Sequence, residues 1–278
     1  MVALLGAGVV PADTPILRAD DLGALRGDGI FETMHVRAGQ AWLLDEHLAR
    51  MERSAALMEL PLPRRETVAE LAHQALTAWP ADQEGALRLV CTRGSEVAPG
   101  PATVFATINP VPPAARRARV EGVAVRTASL GVLADLRTSA PWLLGGAKTL
   151  SYAVNMASLR WAQSAGADDT LWLSSDGYAL EAPTSTLVWL EGSILYSVPA
   201  EPTGILAGTT ARWLLEHAGD LGLTAERRMV TPAELTRCDG VWFTSSVRGL
   251  VAIRRLDDAT MPYDPTLTAK LQAYLGFA

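Results

Sequence analysis

Residues 145–199 read GGAKTLSYAVNMASLRWAQSAGADDTLWLSSDGYALEAPTSTLVWLEGSILYSVP, and the only lysine in this stretch, Lys148, stands between small residues at the mouth of a helical pattern. Its one other cation is Arg160. Beyond the helical pattern the periodicity changes: DTLWLSSDGYALEA (169–182) and STLVWLEGSILYSV (185–198) alternate and are rich in β-branched and aromatic residues. The turn dipeptides Asp176-Gly177 and Glu191-Gly192 sit inside them, which predicts two hairpins. A lone lysine is ordinarily a solvated surface charge, so the meaning of Lys148 depends on what surrounds it.

Further strand patterns follow at GVAVRTASLGVL (122–133) and GVWFTSSVRGLVAIRRL (240–256), with helices expected at about 149–165 and 210–222 and a last one in PTLTAKLQAYLGF (265–277). Towards the N-terminus, LLDEHLARMERSAALMEL (43–60) and RETVAELAHQALTAW (65–79) place apolar residues three and four apart, as amphipathic helices do. ALRLVCTRG (86–94) and PATVFATINPV (101–111) read as antiparallel strands joined by a Gly/Pro-containing loop. Between the halves, NPVPPAARRARV (109–120) carries three prolines and a change of composition, which marks a linker. The fold class is therefore α/β (α+β) in two domains, a small N-terminal α+β domain (1–114) and a larger, β-rich C-terminal domain (115–278) that carries Lys148.

The chain has 278 residues, 49% of them hydrophobic, and a formal net charge of -6. Its cations are scattered, which excludes the basic face that nucleic-acid binding needs. No apolar run is long enough to cross a membrane. MVALLGAGVVPAD at the start lacks the basic flank and cleavage site of a signal peptide, so a cytoplasmic, soluble protein is expected. Cys91 and Cys238 each lie in an apolar segment and read as reduced core thiols, and no Cys/His cluster has metal-ligand spacing. His35, His47, His73 and His217 are dispersed and no GxSxG occurs, which argues against a hydrolase. GAGVV near the start lacks the preceding strand and following helix of a nucleotide fingerprint.

Two features give Lys148 company. Glu181 opens EAPTST just after a turn, and GILAGTT (204–210) leads into a helix, where free backbone N–H groups and the hydroxyls of Thr209 and Thr210 suit an anion such as a phosphate. The alternative, that Thr209 or Thr210 merely caps the helix, stays open. FTSSVRG (243–249) adds hydroxyls at a strand end. A lysine, a carboxylate and a hydroxyl-rich anion cradle are the parts that hold pyridoxal 5′-phosphate.

On these and other motifs the chain resembles the fold type IV pyridoxal-phosphate enzymes, which include branched-chain aminotransferases, D-amino-acid aminotransferases and 4-amino-4-deoxychorismate lyases. RGDGIFETM (26–34), DEHLARMERSA (45–55), TRG (92–94), AKTLSYAVNMAS (147–158), DGYALEAPTSTLVWLEGSILYSVP (176–199), GILAGTT and TSSVRGLVAI (244–253) follow the family's order over nearly the whole chain. The resemblance implies a two-domain fold type IV architecture with the cofactor in the cleft between domains, and a homodimer. It makes Lys148 the Schiff-base lysine, pairs Glu181 with the pyridine nitrogen, and gives the phosphate to Arg50, Thr209, Thr210 and Ser246. It also brings Tyr152 towards the cofactor's phenolic oxygen, although a tyrosine there serves equally for packing.

For the reaction, LRGDGIFET, AKTLSYAVNM and TSSVRG look most like the deoxychorismate lyases of folate biosynthesis, which eliminate pyruvate from 4-amino-4-deoxychorismate to leave 4-aminobenzoate. The alternative is an aminotransferase of D-amino or branched-chain amino acids. The arginine and histidine with which D-amino-acid aminotransferases trap a substrate carboxylate are replaced by Ala98 and Gly100, and their tyrosine by Phe31. The arginine usual after the GIT motif is replaced by Ala211, with Arg212 one place on. Carboxylate binding then falls to Arg26, Arg88, Arg93 and Arg248, with Arg26 and Arg248 the preferred pair and Arg88 expected on a buried strand, where it needs a partner or ligand.

Overall fold

Alternation along GIFETMHVR organises the first sheet. Ile30, Met34 and Val36 are fully buried against helices, and burying each such side chain contributes about 1.5–3 kcal/mol. The computed structural model describes residues 1–277. They divide into two compact units, one made of Met1–Pro112 with Ala147–Tyr152, the other of Pro113–Gly146 with everything from Ala153 onward.

The first unit contains β1 (Val2–Leu4), β2 (Gly8–Val10), α1 (Leu22–Arg26), β3 (Gly29–Arg37), β4 (Gln40–Ala41), α2 (Leu44–Leu57), α3 (Arg65–Thr77), β5 (Gly85–Thr92) and β6 (Thr103–Pro110). Its six strands form one antiparallel sheet in the order β2-β1-β6-β5-β3-β4. The apolar faces of α2 and α3 cover one side of it: Leu48, Met51, Val68, Leu71 and Ala75 pack with Leu87, Leu89 and Ile108. A strand does precede GAGVV, contrary to the sequence reading. β1 and β2 pair as a hairpin, Val2 opposite Val10, so no helix follows as a nucleotide fingerprint requires.

The second unit contains α4 (Pro113–Glu121), β7 (Val123–Ser129), α5 (Leu136–Ser139), α6 (Ala153–Ser164), β8 (Asp169–Leu173), β9 (Thr186–Glu191), β10 (Ile194–Ser197), α7 (Ala200–Thr203), α8 (Thr209–Glu216), β11 (Thr224–Arg227), α9 (Pro232–Leu235), β12 (Gly240–Ser245), β13 (Gly249–Leu256), β14 (Ala259–Thr260) and α10 (Pro265–Tyr274). A mixed eight-stranded sheet runs β11-β10-β9-β12-β13-β7-β8, with β14 beside β13. Trp189, Phe243, Leu187 and Val251 lie in its core.

Two expectations need correction. The expected linker at 109–120 is the end of β6 followed by α4, because Pro113 is tolerated in a first helical turn and AARRAR is built of good helix formers. The helix expected from 149 begins at Ala153, and Ala147–Tyr152 belongs to the first unit, so Lys148 is not part of the C-terminal one. The reason is hydrogen bonding: Phe31 N–H donates to Lys148 O and Leu150 N–H to Gly29 O, which lays this segment along the free edge of β3. Both expected hairpin turns are present: Glu191-Gly192 joins β9 to β10, and across Asp176-Gly177 Ser174 N–H donates to Tyr178 O, Leu180 N–H to Trp172 O and Trp172 N–H to Glu181 O.

Cys91 and Cys238 are free and buried, and burial pushes both thiols up to about 12, so neither is a nucleophile at neutral pH. Among the described residues no helix is long and apolar enough to cross a membrane, and no group of His, Cys, Asp and Glu has the arrangement to hold a metal ion.

Candidate active site

Lys148 is one of only two lysines in the chain, the other being Lys270. The RGDG motif explains how its segment reaches β3. Gly27 has a left-handed φ of +70°, and a Cβ there would meet Ser151 Cα at 3.0 Å. A Cβ on Gly29 would come within 2.6 Å of Cys91 O and 2.7 Å of Leu150 Cδ1. Both glycines therefore clear a path for the lysine segment. Ile30 and Thr149 form an antiparallel bridge, which sets Lys148 opposite Phe31 and puts both side chains on one face of the sheet. The Lys148 backbone N–H donates to Ser54 Oγ at 3.0 Å, and its Nζ donates to the Tyr152 hydroxyl at 3.2 Å and sits 4.2 Å from the Phe31 ring centre. Tyr152 meets Phe31 edge to face at 5.1 Å. The amine is thus held by a hydroxyl and an aromatic face.

Arg50, which its helical context alone would make a surface charge, is 5% exposed. Its Nε and Nη2 each donate to Glu32 at 2.7 Å, and His47 Nδ1 donates to the same carboxylate at 2.6 Å, since a carboxylate only accepts. Glu32 and Arg50 pair because β3 aims Glu32 at α2 among its apolar neighbours. Burial opposes the charge on Glu32, but the Arg50 guanidinium and the bonds from Arg50 and His47 outweigh it and hold the carboxyl down at about 2. Burial moves His47 the other way, below its ordinary value, so it is neutral.

The four candidate carboxylate-binding arginines separate clearly. Arg26 is exposed and pairs with Glu96 at 2.7 Å. Arg93 is spent on structure, donating to Asp28 at 2.7 Å and to the carbonyls of Met58 and Glu59. Arg248 donates to the fully buried Asp169 at 2.7 Å and to Ser185 at 2.5 Å. The preferred pair of the sequence reading, Arg26 and Arg248, is therefore committed to carboxylates of the chain itself. Arg88 is exposed, not buried as expected, because alternation along β5 turns Leu87 and Leu89 to the core. Among the described residues it meets only Thr33 Oγ1, at 3.4 Å, and the Phe31 ring, 5.4 Å from its guanidinium. Thr33 lies opposite Arg88 in the ladder, so Arg88, Thr33, Phe31 and Lys148 share one face.

In the second unit, Glu181 is 8% exposed. Its Oε1 accepts from Arg137 Nη1 and its Oε2 from the Leu206 N–H, both at 3.1 Å. Arg137 escaped the sequence reading, since nothing local separates it from other scattered arginines. Helix α8 starts at Thr209 after Gly208, which supplies no side-chain cap; a Cβ there would meet Thr186 Oγ1 at 2.2 Å. Thr209 Oγ1 and Ser246 Oγ are 3.4 Å apart, and the buried Thr210 Oγ1 has no hydrogen-bond partner. Neither Thr209 nor Thr210 is a side-chain N-cap. Ala211 is buried, and Arg212 pairs with Glu216 at 3.7 Å.

Group by group these residues fit pyridoxal 5′-phosphate. There is an amine for its aldehyde, a buried carboxylate for its ring nitrogen, and an uncapped helix start with an orphaned hydroxyl for its phosphate.

Comparison with known proteins agrees. The amino-transferase class IV family model matches residues 29–256. A bifunctional aminodeoxychorismate lyase / D-amino acid transaminase of Mycobacterium tuberculosis is 42% identical over 274 residues, 95% of this chain and 94% of that protein. A hypothetical aminotransferase from M. tuberculosis, in its PLP-bound form, superposes with a TM-score of 0.94 at 39% identity, covering 99% of this chain and 98% of the other. The 4-amino-4-deoxychorismate lyase of Pseudomonas aeruginosa does so with a TM-score of 0.78 at 28% identity, again over 99% and 98%.

Proposed function

The chain belongs to the amino-transferase class IV family and is a pyridoxal 5′-phosphate enzyme, and on that footing we propose that it is a 4-amino-4-deoxychorismate lyase serving folate biosynthesis. Bound through Lys148, the cofactor supplies a sink for the electron pair left when a proton leaves the substrate's amine-bearing carbon. The Lys148 amine would take that proton as general base. The enolpyruvyl ether then departs as pyruvate and the ring becomes 4-aminobenzoate. No second substrate and no redox partner are needed. Arg50, Thr209, Thr210 and Ser246 hold the phosphate, Glu181 the ring nitrogen, and Tyr152 bonds the amine of Lys148.

The observation that carries the reading is Arg88. It alone of the four candidate arginines has no carboxylate partner among the described residues, and it lies on the sheet face that bears Lys148 and Phe31. A substrate with carboxylates at two ends needs such a fork. Phe31 brings no hydroxyl, and Ala98 and Gly100 lie exposed in their loop, so the D-amino-acid trap is missing.

The test is to incubate the PLP-loaded protein with fresh 4-amino-4-deoxychorismate and no keto acid, then quantify 4-aminobenzoate and pyruvate. Equimolar products over many turnovers, absent in Lys148→Ala, support the lyase. If neither forms while D-alanine and 2-oxoglutarate exchange their amino group, the enzyme is a transaminase. That second reading is favoured by the M. tuberculosis relative, which is named for both activities.

The same reading makes the enzyme a cytoplasmic homodimer. Helix α6 buries only Ala162, while Val154 and Trp161 on one of its stripes are 63% and 46% exposed. Trp142, upstream in the same unit, is 79% exposed. Apolar side chains left open in this way suit a second copy of the chain.

A further inference from the structure

Both oxygens of Glu181 are held, one by the Arg137 guanidinium and one by the Leu206 N–H, from segments 44 and 25 residues away. The path of Arg137 is built as closely as its end. A Cβ on Gly145 would come within 2.9 Å of Arg137 Cβ, and a Cβ on Gly204 within 2.6 Å. Gly204 caps α7 with a φ of +62° and accepts at its carbonyl from Gly146 N–H at 2.9 Å. Two glycine-bearing turns thus close on the stem of one arginine, and a side chain at either glycine would push it off Glu181. The Arg137 and Glu181 side chains are 19% and 11% exposed, so solvent screens the pair little.

We propose that Arg137 is a positioning residue that aims Glu181 and sets the charge its carboxylate presents to the cofactor's ring nitrogen. This rests on the assignment of Glu181 to that nitrogen made above. A lone buried carboxylate would hold a ring proton with its whole charge. With a guanidinium paired to it at 3.1 Å, part of its potential is cancelled. Arg137 therefore limits how tightly the bound cofactor holds its protons.

The experiment follows the visible absorbance of the PLP-loaded enzyme against pH, beside a PLP titration of the apoprotein and a thermal melt. Arg137→Met keeps the stem that fills the space beside Gly145 and Gly204 but removes the charge; Arg137→Lys restores it. Removing a nearby cation raises the pKa of every protonated neighbour, so Arg137→Met moves the absorbance midpoint up by about one pH unit. Arg137→Lys stays close to wild type. In a Glu181→Gln background the Arg137→Met shift changes, because the two charges no longer act through each other. The inference is overturned if Arg137→Met titrates with wild type, or if it loses only melting temperature or PLP affinity. A wild type with no Lys148-dependent absorbance, judged against Lys148→Ala, would instead bring down the cofactor assignment and this inference with it.

Discussion

In the proposed reaction Lys148 carries the chemistry through its own amine, so Lys148→Ala is expected to abolish turnover and covalent retention of PLP, read by mass spectrometry after borohydride reduction. Arg88 is proposed to act on substrate instead. Losing a charge-assisted bond of about 1.5–3 kcal/mol, Arg88→Met should raise KM for a carboxylate substrate roughly 10- to 150-fold with a smaller change in kcat. An unchanged KM would remove Arg88 from the substrate site. Glu32 gives a pH prediction. Its folded pKa, about 2, lies below the ordinary 4.5, so its contribution to stability is full above that ordinary value and is lost as pH falls towards about 2. Melting temperature followed from pH 6 downward should therefore fall less steeply in Glu32→Gln than in wild type. Glu32→Ala, which strands the buried Arg50, should cost about 3–5 kcal/mol. Of these residues, motif order singled out Lys148 and Arg50. The fate of the arginines was not legible, because each is decided by a carboxylate far along the chain, Glu96 for Arg26 and Asp169 for Arg248.

At the scale of elements, periodicity found α2 and α3, whose apolar stripes repeat over several turns, and found the β5–β6 pair by alternation. It failed on Ala147–Tyr152, whose helical-looking composition yields to the hydrogen bonds offered by the open edge of β3. That docking depends on close approach, which makes Gly29 the sensitive point. Gly29→Ala should cost about 1–3 kcal/mol and release PLP more readily, since the added carbon meets the backbone oxygen of Cys91 and the Leu150 side chain. Equal melting temperature and cofactor retention in the variant would show that the segment does not need the gap.

For the whole molecule, the open apolar stripe on α6 makes association measurable. Light scattering after gel filtration should give twice the monomer mass, and Trp161→Asp or Val154→Asp should shift it towards one. A wild type that elutes as a monomer would refute the dimer. If the dimer completes the site, the same variants lose activity at low protein concentration and recover it as concentration rises.

Sequence by itself determined the two long helices, the main strands and the family, and singled out Lys148 as the candidate lysine, because these are written in local periodicity and in motifs of adjacent residues. Tertiary structure alone decided that Lys148 joins the N-terminal unit, that Arg88, alone of the four candidate arginines, has no carboxylate partner among the described residues, and that Arg137 holds Glu181. The physical reason is common to all three. A hydrogen bond or ion pair is settled by which groups the folded backbone brings within about 3 Å, and no local pattern records partners that lie dozens of residues apart.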